Sequence, residues 1–412
     1  MTPSGRHAFQ AGRRRSPARL SHIHLFFVGW TYYLAVPILA GKLGLFDAVN
    51  GFEMMSQYCT PADPWWPALI AFALLLPGAF VLGTALADAI PRARGFRTPI
   101  EWPTYVLLPL YAVALAVTTI QGRASLFAGY AEGVDISVAG PIATVQLALL
   151  LQYLAAKCAG LRSARALGLL LAAASIVLIG MGGRLYVLSA LVALYVRWWM
   201  YGTSDPRARR RSLLLVVVVP VLFGIAGMWR LGIFDPSLMA FYLFAEPTFT
   251  SISAFTLMDG HSWKFLDTPT DLISAFVNIV PSPLWPEKTS FLMPLDESPL
   301  RFESPFGAIS IVTSAIGNFG YPGGIAFVGF VGFVMERVRR ATDTSAGRAL
   351  YCYLCGLLPF MFFRDPFHVQ VKVVITGFLL IWVNRLLAVP FARHDASSRQ
   401  SHELTIQSRG TT

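Results

Sequence analysis

Long runs of apolar residues without a charged side chain are the feature that most constrains this chain. Two examples are LLLVVVVPVLFGIAGMW (213–229) and ALIAFALLLPGAFVLGTALA (68–87). A helix needs about 20 such residues to cross a hydrocarbon core of roughly 30 Å. Of the 412 residues 55% are hydrophobic and 13% charged, whereas soluble domains hold about 25% charged residues. The runs lack the two-residue alternation of barrel strands, so we predict an all-α polytopic membrane protein.

Hydropathy predicts about ten spans, or up to 12 if re-entrant and interfacial helices are counted. We expect spans at 25–46, 66–87, 102–121, 139–157, 166–181, 185–201, 213–231, 320–336, 349–363 and 368–388. The predicted organisation is a basic cytoplasmic tail (1–22), a seven-span bundle (23–231), a large periplasmic loop with interfacial helices (232–319), three further spans (320–390) and a polar cytoplasmic tail (391–412).

The basic residues orient these spans. With both termini in the cytoplasm, most of the 33 Lys and Arg residues fall in the tails and in alternate loops. That distribution satisfies the positive-inside rule. The basic isoelectric point therefore reflects topology and contact with anionic lipid, and nucleic acid is not an expected partner.

The arginines on the outer side are unusual, because outer loops are normally poor in arginine. A guanidinium is always charged and makes bidentate contacts with phosphate oxygens. Several arginines at one end of a helical bundle indicate a shared anion site that fits a pyrophosphate. The alternative is that each one reaches lipid phosphates or pairs with a carboxylate such as Asp365. The five candidates are Arg123, Arg184, Arg230, Arg301 and Arg364.

Arg184 is the most distinctive of these. It follows Gly182-Gly183 at the tip of a predicted hairpin and begins the next helix. Glycine permits close approach of a ligand, and a helix N-terminus offers free N–H donors. We expect an anion cradle at this position.

The long outer segment 232–319 supplies the other candidates. We predict helices near 237–257 and 270–279, both short and amphipathic. MDGHSWKF (258–265) holds Asp259, His261 and Trp263 within five residues. An aromatic ring beside polar side chains suits sugar binding; the alternative is that Trp263 anchors a surface turn at the membrane interface. The candidate proton acceptors on the outer side are the histidines His261 and His368 and the carboxylates Glu246, Asp259, Asp365 and Glu303. Of these we select Glu246, Asp259 and His261. Glu246 has the most apolar neighbours in the sequence, in the segment FAEPTF. A carboxyl group in apolar surroundings is suited to proton transfer.

Two segments resemble the Wzy-type O-antigen polymerase family of oligosaccharide repeat-unit polymerases. They are IVPSPLWPEKTSF (279–291) and SPFGAISIVTSAIGNFGYPGGIAFVGFVGFVMERV (304–338). The family has a Pro-rich segment ending in Lys, here Lys288, which we expect to contact the substrate, and a Tyr-x-Asn-Phe-Gly-x-x-Gly turn. Ile316 stands where the family has the aromatic residue. GMGGRLYVLSALVALY (180–195) and FFRDP (362–366) also resemble family segments.

The resemblance implies a bacterial inner-membrane glycosyltransferase with a GT-C-like architecture, an active site facing the periplasm, and no metal or cofactor. It would polymerise undecaprenyl-diphosphate-linked repeat units for O-antigen or another surface polysaccharide, beside a flippase and a chain-length determinant. By analogy Arg184, Arg230 and Arg364 would bind the departing diphosphate, and a carboxylate or His261 would take the proton of the attacking hydroxyl. Asn318 and Tyr321, in the turn that follows a short helix at 305–316, would contact sugar or phosphate.

Three other functions are compatible with a polytopic chain. An O-antigen ligase has a related architecture and transfers finished glycan to lipid A-core. A transporter or flippase would carry polar residues along the middle of several spans and a two-fold repeat. A membrane acyltransferase would need histidines in the spans, and these are scarce here.

Overall fold

The computed structural model describes residues 20–91, 101–123, 139–202, 238–260, 268–280, 285–293 and 307–384, with a few single positions besides. All regular structure in these ranges is helical, which confirms the all-α prediction there. The main helices are α1 (His22–Lys42), α2 (Trp66–Ala89), α3 (Glu101–Gln121), α4 (Ala139–Ala159), α5 (Ala164–Gly180), α6 (Arg184–Tyr201), α7 (Met239–Asp259), α8 (Thr270–Ile279), α9 (Ile311–Arg340), α10 (Ser345–Leu357), α11 (Met361–Arg364) and α12 (Phe367–Asn384). Short 3₁₀ turns occupy Leu45–Ala48, Glu53–Gln57 and Pro286–Phe291.

Five of these helices, α1, α2, α4, α9 and α12, are long and apolar enough to cross a membrane. Shorter apolar helices accompany them, among them α5 and α8. The predicted span 213–231 lies almost wholly outside the described residues. The predicted span 349–363 is divided, because α10 ends at Leu357 and a turn separates it from α11. The chain is therefore a helical protein with the composition of a membrane protein.

Helix α1 contains a π turn, Thr31–Ala35. Two side chains from this part of α1 donate to carbonyls that prolines leave without a donor in neighbouring helices. A proline inside a helix leaves the carbonyl four residues earlier without its N–H donor. Pro77 frees Ala73 in α2, and the Trp30 indole Nε1–H donates to that oxygen at 2.8 Å. Pro247 frees Leu243 in α7, and the Tyr32 hydroxyl donates to it at 2.5 Å. One turn of α1 thereby joins α2 to α7.

Helices α2 and α9 pack through glycines. A side chain at Gly83 would collide with the Gly329 carbonyl oxygen, and one at Gly332 would collide with the Phe80 carbonyl oxygen. Small residues let two backbones approach closely, which is how helices gain packing energy in an apolar solvent. This contact fixes the relative position of two of the five long helices.

The bundle has two distinguishable ends. At the basic end Arg340 forms an ion pair with Asp88 at the end of α2, and Arg348 lies over the Tyr201 ring at the end of α6. At the other end, which we call the site end, Gly356 near the end of α10 packs closely on Ser189 in the second turn of α6. Helices α6 and α10 are therefore antiparallel, and Arg184 lies at the site end.

Helix α9 is interrupted at Gly320. This residue has φ 71° and ψ −179°, a conformation that is essentially restricted to glycine. Before it, residues 311–319 form a short helix that is almost wholly buried; after it, residues 321–340 form the long apolar part. The predicted turn thus occurs at a single residue, and the short helix begins at Ile311, where we had predicted 305–316.

Helix α7 differs from the predicted short amphipathic helix near 237–257. It runs to Asp259, and most of its side chains from Pro247 to Met258 are buried on all sides. Its buried hydroxyls donate to carbonyls one turn earlier; for example, Thr250 Oγ1 donates to the Glu246 carbonyl at 2.7 Å. These hydroxyl groups are polar in the sequence pattern, but their hydrogen bonds are made within the helix. The pattern therefore predicts an amphipathic helix where the structure has a buried one.

Candidate functional site

The hairpin between α5 and α6 places Arg184 at the site end. Gly182 has φ 83°, in the left-handed region that favours glycine. The Gly183 N–H donates to the Leu178 carbonyl at 2.7 Å, and a side chain at Gly183 would press on the Leu178 side chain. The helix then begins at Arg184, as the sequence predicts.

A rigid turn between α10 and α12 supplies Arg364 and Asp365. The Arg364 carbonyl accepts from the Ile309 N–H at 2.9 Å, and the Asp365 N–H donates to the Met361 carbonyl at 2.9 Å. The Gln370 side-chain amide, in the first turns of α12, donates to the Asp365 carbonyl. These main-chain contacts leave the two side chains to face the other helices.

The Glu246 carboxylate joins the two arginines. Its Oε1 lies 2.7 Å from Arg364 Nε, and its Oε2 lies 3.9 Å from Arg184 Nη2. Arg364 Nη1 also donates to Asp365 Oδ1 at 2.6 Å. The exposed fractions of the Arg184, Glu246 and Arg364 side chains are 31%, 26% and 26%, whereas Asp365 is buried, so this four-residue cluster keeps one solvent-accessible side. We call it the arginine cluster.

The arginine cluster is formally neutral and incompletely satisfied. Arg364 Nε is close to Glu246 but too poorly aligned for a hydrogen bond, and Asp365 Oδ2 has no partner among the described residues. Burial raises the pKa of the Asp365 carboxyl, against the opposing effects of Arg364 and of His368. Unmet donors on a guanidinium and a buried, unpartnered carboxylate oxygen are expected where a ligand completes a site.

Next to the cluster, Asp271 and His368 form a carboxylate–imidazole pair. His368 is the second residue of α12; its Nδ1 lies 2.5 Å from Asp271 Oδ1, and its main-chain N–H donates to Asp271 Oδ2 at 3.3 Å. Asp271 is fully buried in the first turn of α8. The pair fixes the ring with Nδ1 towards the carboxylate, which leaves Nε2 as the basic nitrogen.

His368 is one of the two histidines that the sequence predicts on the outer side, but the sequence does not pair it with Asp271. Asp271 lies 97 residues away, in a helix predicted to be short and amphipathic. The position of His368, at the start of a helix and four residues after an arginine, is the signal that could have favoured it over His261.

Three predicted ligand residues hold the outer segment together. Asn318 is fully buried; its Oδ1 accepts from the Leu272 N–H of α8 at 3.0 Å, and its Nδ2 donates to the Ser314 carbonyl at 2.8 Å. Lys288 Nζ donates to the Val280 carbonyl at 2.7 Å, and burial lowers the pKa of its ammonium group. The Tyr321 hydroxyl contacts Met258 Sδ at 3.3 Å.

The remaining predicted residues are distributed elsewhere. Asp259 is exposed at the end of α7, 13 residues and about 20 Å along the helix from Glu246. Arg123 is exposed just after α3, and no described contact joins it to the arginine cluster. Outside the described residues lie His261, Trp263, Arg230 and Arg301.

In comparisons with protein-family models, curated proteins and solved structures, no match to this chain was found. The class that the described part of the chain defines is a helical protein, and five of the described helices are long and apolar enough to cross a membrane. Its site end carries the arginine cluster and the Asp271–His368 pair.

Proposed function

We propose that the chain is an integral inner-membrane glycosyltransferase that polymerises undecaprenyl-diphosphate-linked oligosaccharide repeat units on the periplasmic face. The observation that carries the proposal is the arginine cluster beside the Asp271–His368 pair. Two guanidinium groups suit a diphosphate leaving group, and an oriented imidazole suits removal of a hydroxyl proton. Both requirements belong to glycosyl transfer from a lipid diphosphate.

The orientation follows from charge. The basic end holds Arg337, Arg339 and Arg340, at the end of a long apolar helix, and the positive-inside rule assigns such ends to the cytoplasm. The site end then faces the periplasm, with both termini cytoplasmic. A substrate that is already activated as a lipid diphosphate needs no nucleotide there.

In the proposed reaction the hydroxyl of the acceptor sugar attacks the anomeric carbon of the donor glycan. The new glycosidic bond forms as the bond from that carbon to the diphosphate oxygen breaks, and the diphosphate leaves with the electron pair. His368 Nε2 accepts the hydroxyl proton, while Asp271 stabilises the resulting imidazolium. Arg184 and Arg364 stabilise the charge that develops on the diphosphate.

A complemented deletion strain tests the proposal. Loss of a polymerase leaves lipid A-core capped with a single repeat unit, and the wild-type gene should restore the ladder of long chains. Arg184→Ala and Arg364→Ala should each fail to restore it. Arg184→Lys and Arg364→Lys, which keep the charge but lose the fork-shaped donor set, should restore it only partly.

The same gel separates the alternatives. If the chain were an O-antigen ligase, its deletion would leave uncapped core and accumulated polymer on undecaprenyl diphosphate. If it were a flippase, its deletion would leave uncapped core and repeat units on the cytoplasmic side of the membrane. Normal ladders with both arginine-to-alanine variants would contradict the proposal that Arg184 and Arg364 bind the diphosphate.

A further inference from the structure

Glu246 occupies the place in the arginine cluster where an anionic ligand would bind. Each of its two carboxylate oxygens faces a different guanidinium, Oε1 towards Arg364 and Oε2 towards Arg184. A phosphate group that bridged the two arginines would put its oxygens in the same positions. The carboxylate and the ligand therefore cannot both hold the arginines.

We propose that Glu246 is a built-in competitor for the diphosphate: it holds Arg184 and Arg364 in the empty site and must turn away when the ligand binds. This inference rests on the proposed function, because it takes the arginine cluster as the diphosphate site. It makes Glu246 a specificity-determining residue, since only an anion that binds the arginines more strongly than a carboxylate can enter.

The contacts of Glu246 are weak enough to be exchanged. The 3.9 Å separation from Arg184 is too long for a hydrogen bond, and the approach to Arg364 Nε lacks hydrogen-bond alignment. About a quarter of the Glu246 side chain is exposed, so it can rotate towards solvent. An ion pair that is partly exposed and lacks hydrogen-bond alignment contributes less than a well-aligned pair and is more easily replaced.

The charges favour the exchange. With Glu246 in place, its charge and that of Asp365 cancel those of the two arginines. When Glu246 turns away, Arg184 and Arg364 face the ligand against the single carboxylate of Asp365. A diphosphate offers more oxygens and more negative charge than one carboxylate, so it can satisfy the Arg364 Nε–H that Glu246 leaves unmet.

The backbone holds Glu246 in a fixed position while its side chain exchanges. The next residue is Pro247, and the carbonyl that Pro247 frees is held by Tyr32. The Glu246 carbonyl accepts from Thr250 Oγ1. These contacts hold the backbone without using the Glu246 carboxylate, so that carboxylate can turn without a change in α7.

The test measures binding of inorganic pyrophosphate to the full-length protein by calorimetry, in nanodiscs of zwitterionic lipid so that headgroups do not compete. Glu246→Gln should tighten the dissociation constant roughly three- to tenfold, because the competing charge is gone while the shape is kept. Glu246→Ala should tighten pyrophosphate binding as well, so the test remains decisive if the Gln variant misfolds. Glu246→Asp keeps the charge and should give no such gain.

Two controls assign the effect to the cluster. Glu287→Gln removes an exposed carboxylate outside the cluster and should leave binding unchanged. Adding Arg364→Ala to Glu246→Gln should abolish the gain. Equal or weaker binding by both Glu246→Gln and Glu246→Ala, in protein that melts like the wild type, would overturn the inference.

The result is separable from the proposed function. Tighter pyrophosphate binding together with a ladder that does not depend on this gene would leave the competitor role standing and remove the polymerase. Wild-type binding without any gain in the variants would remove the competitor role and leave the polymerase proposal intact. Absence of pyrophosphate binding in the wild type and in both variants would remove the competitor role.

Discussion

The Asp271 carboxylate holds His368 at two points, through the ring Nδ1 at 2.5 Å and through the main-chain N–H at 3.3 Å. The two residues belong to α8 and α12, so their contact joins the outer segment to the last long helix. A histidine held in this way has one defined tautomer and one defined orientation. That arrangement is what a general base requires.

The role of His368 can be measured by replacing it. On the proposed function, we expect His368→Ala to lower the rate of repeat-unit polymerisation by about 100-fold or more, the usual contribution of a general base. Asp271→Asn should cost less, because the ring remains but its orientation and charge stabilisation are weakened. The assay is elongation of purified lipid-linked repeat units, with thermal unfolding to verify the fold. A His368→Ala protein with an unchanged rate would exclude the base role.

Gly320 can be tested through its backbone conformation. Gly320→Ala forces a Cβ into φ 71° and ψ −179°, and should cost about 1–3 kcal/mol or more of stability. Gly78→Ala is the matched control, because that exposed helical glycine has open space around it. The control should be neutral or slightly stabilising. Equal melting temperatures for the two variants would contradict a required break at Gly320.

The hydrogen bond from Tyr32 replaces the one that Pro247 removes in α7, which predicts an energetic coupling between these two residues. Tyr32→Phe leaves the Leu243 carbonyl without a donor and should cost about 1–3 kcal/mol. In a Pro247→Ala background the new N–H serves that carbonyl, so Tyr32→Phe should cost about 1 kcal/mol less. A double-mutant cycle of unfolding free energies measures the difference. Tyr32→Phe combined with Pro77→Ala is the control and should be additive, since Pro77 frees the carbonyl that Trp30 serves.

Asp365 predicts a pH dependence of stability. Burial raises the pKa of its carboxyl above the ordinary value of 3.8, so the folded state binds its proton more tightly than the unfolded state does. The stabilising contribution is therefore complete below about pH 3.8 and is lost as pH rises through the higher folded-state pKa. Asp365→Asn should flatten the unfolding free energy across that window. A slope that is the same in both proteins would argue against this assignment.

The glycine contact between α2 and α9 gives a prediction about packing. Gly83→Ala places a methyl group against the Gly329 carbonyl oxygen and must push the two helices apart. We expect a loss of about 1–3 kcal/mol, the usual cost of overpacking. Gly140→Ala, at a helical glycine with nothing nearby, controls for the change in helix propensity. A loss that matched the control would mean that the two helices can separate freely.

The sequence alone predicts much of the helical structure, because helices and turns depend on residues close together in the chain. Hydropathy predicted most of the described helices within a few residues, although the predicted span 349–363 is divided at Leu357 and the helix that holds 320–336 extends from Ile311 to Arg340. Gly182-Gly183 predicted the start of α6 at Arg184. Apolar length and backbone preference act over short stretches, so both can be found in the sequence. Glycine spacing also indicated the break in α9. The topology, the enzyme class and the substrate remain predictions from charge and resemblance.

Tertiary packing decided which side chains meet. Arg184 and Arg364 are 180 residues apart, and only the positions of α6, α7 and α11 bring both to Glu246. Packing also ties Asn318 and Lys288 to carbonyls and amides of the outer segment, and it leaves Arg123 apart. A sequence shows that a residue can bind an anion, but its partners depend on how distant helices pack, because a side-chain contact extends only a few ångströms.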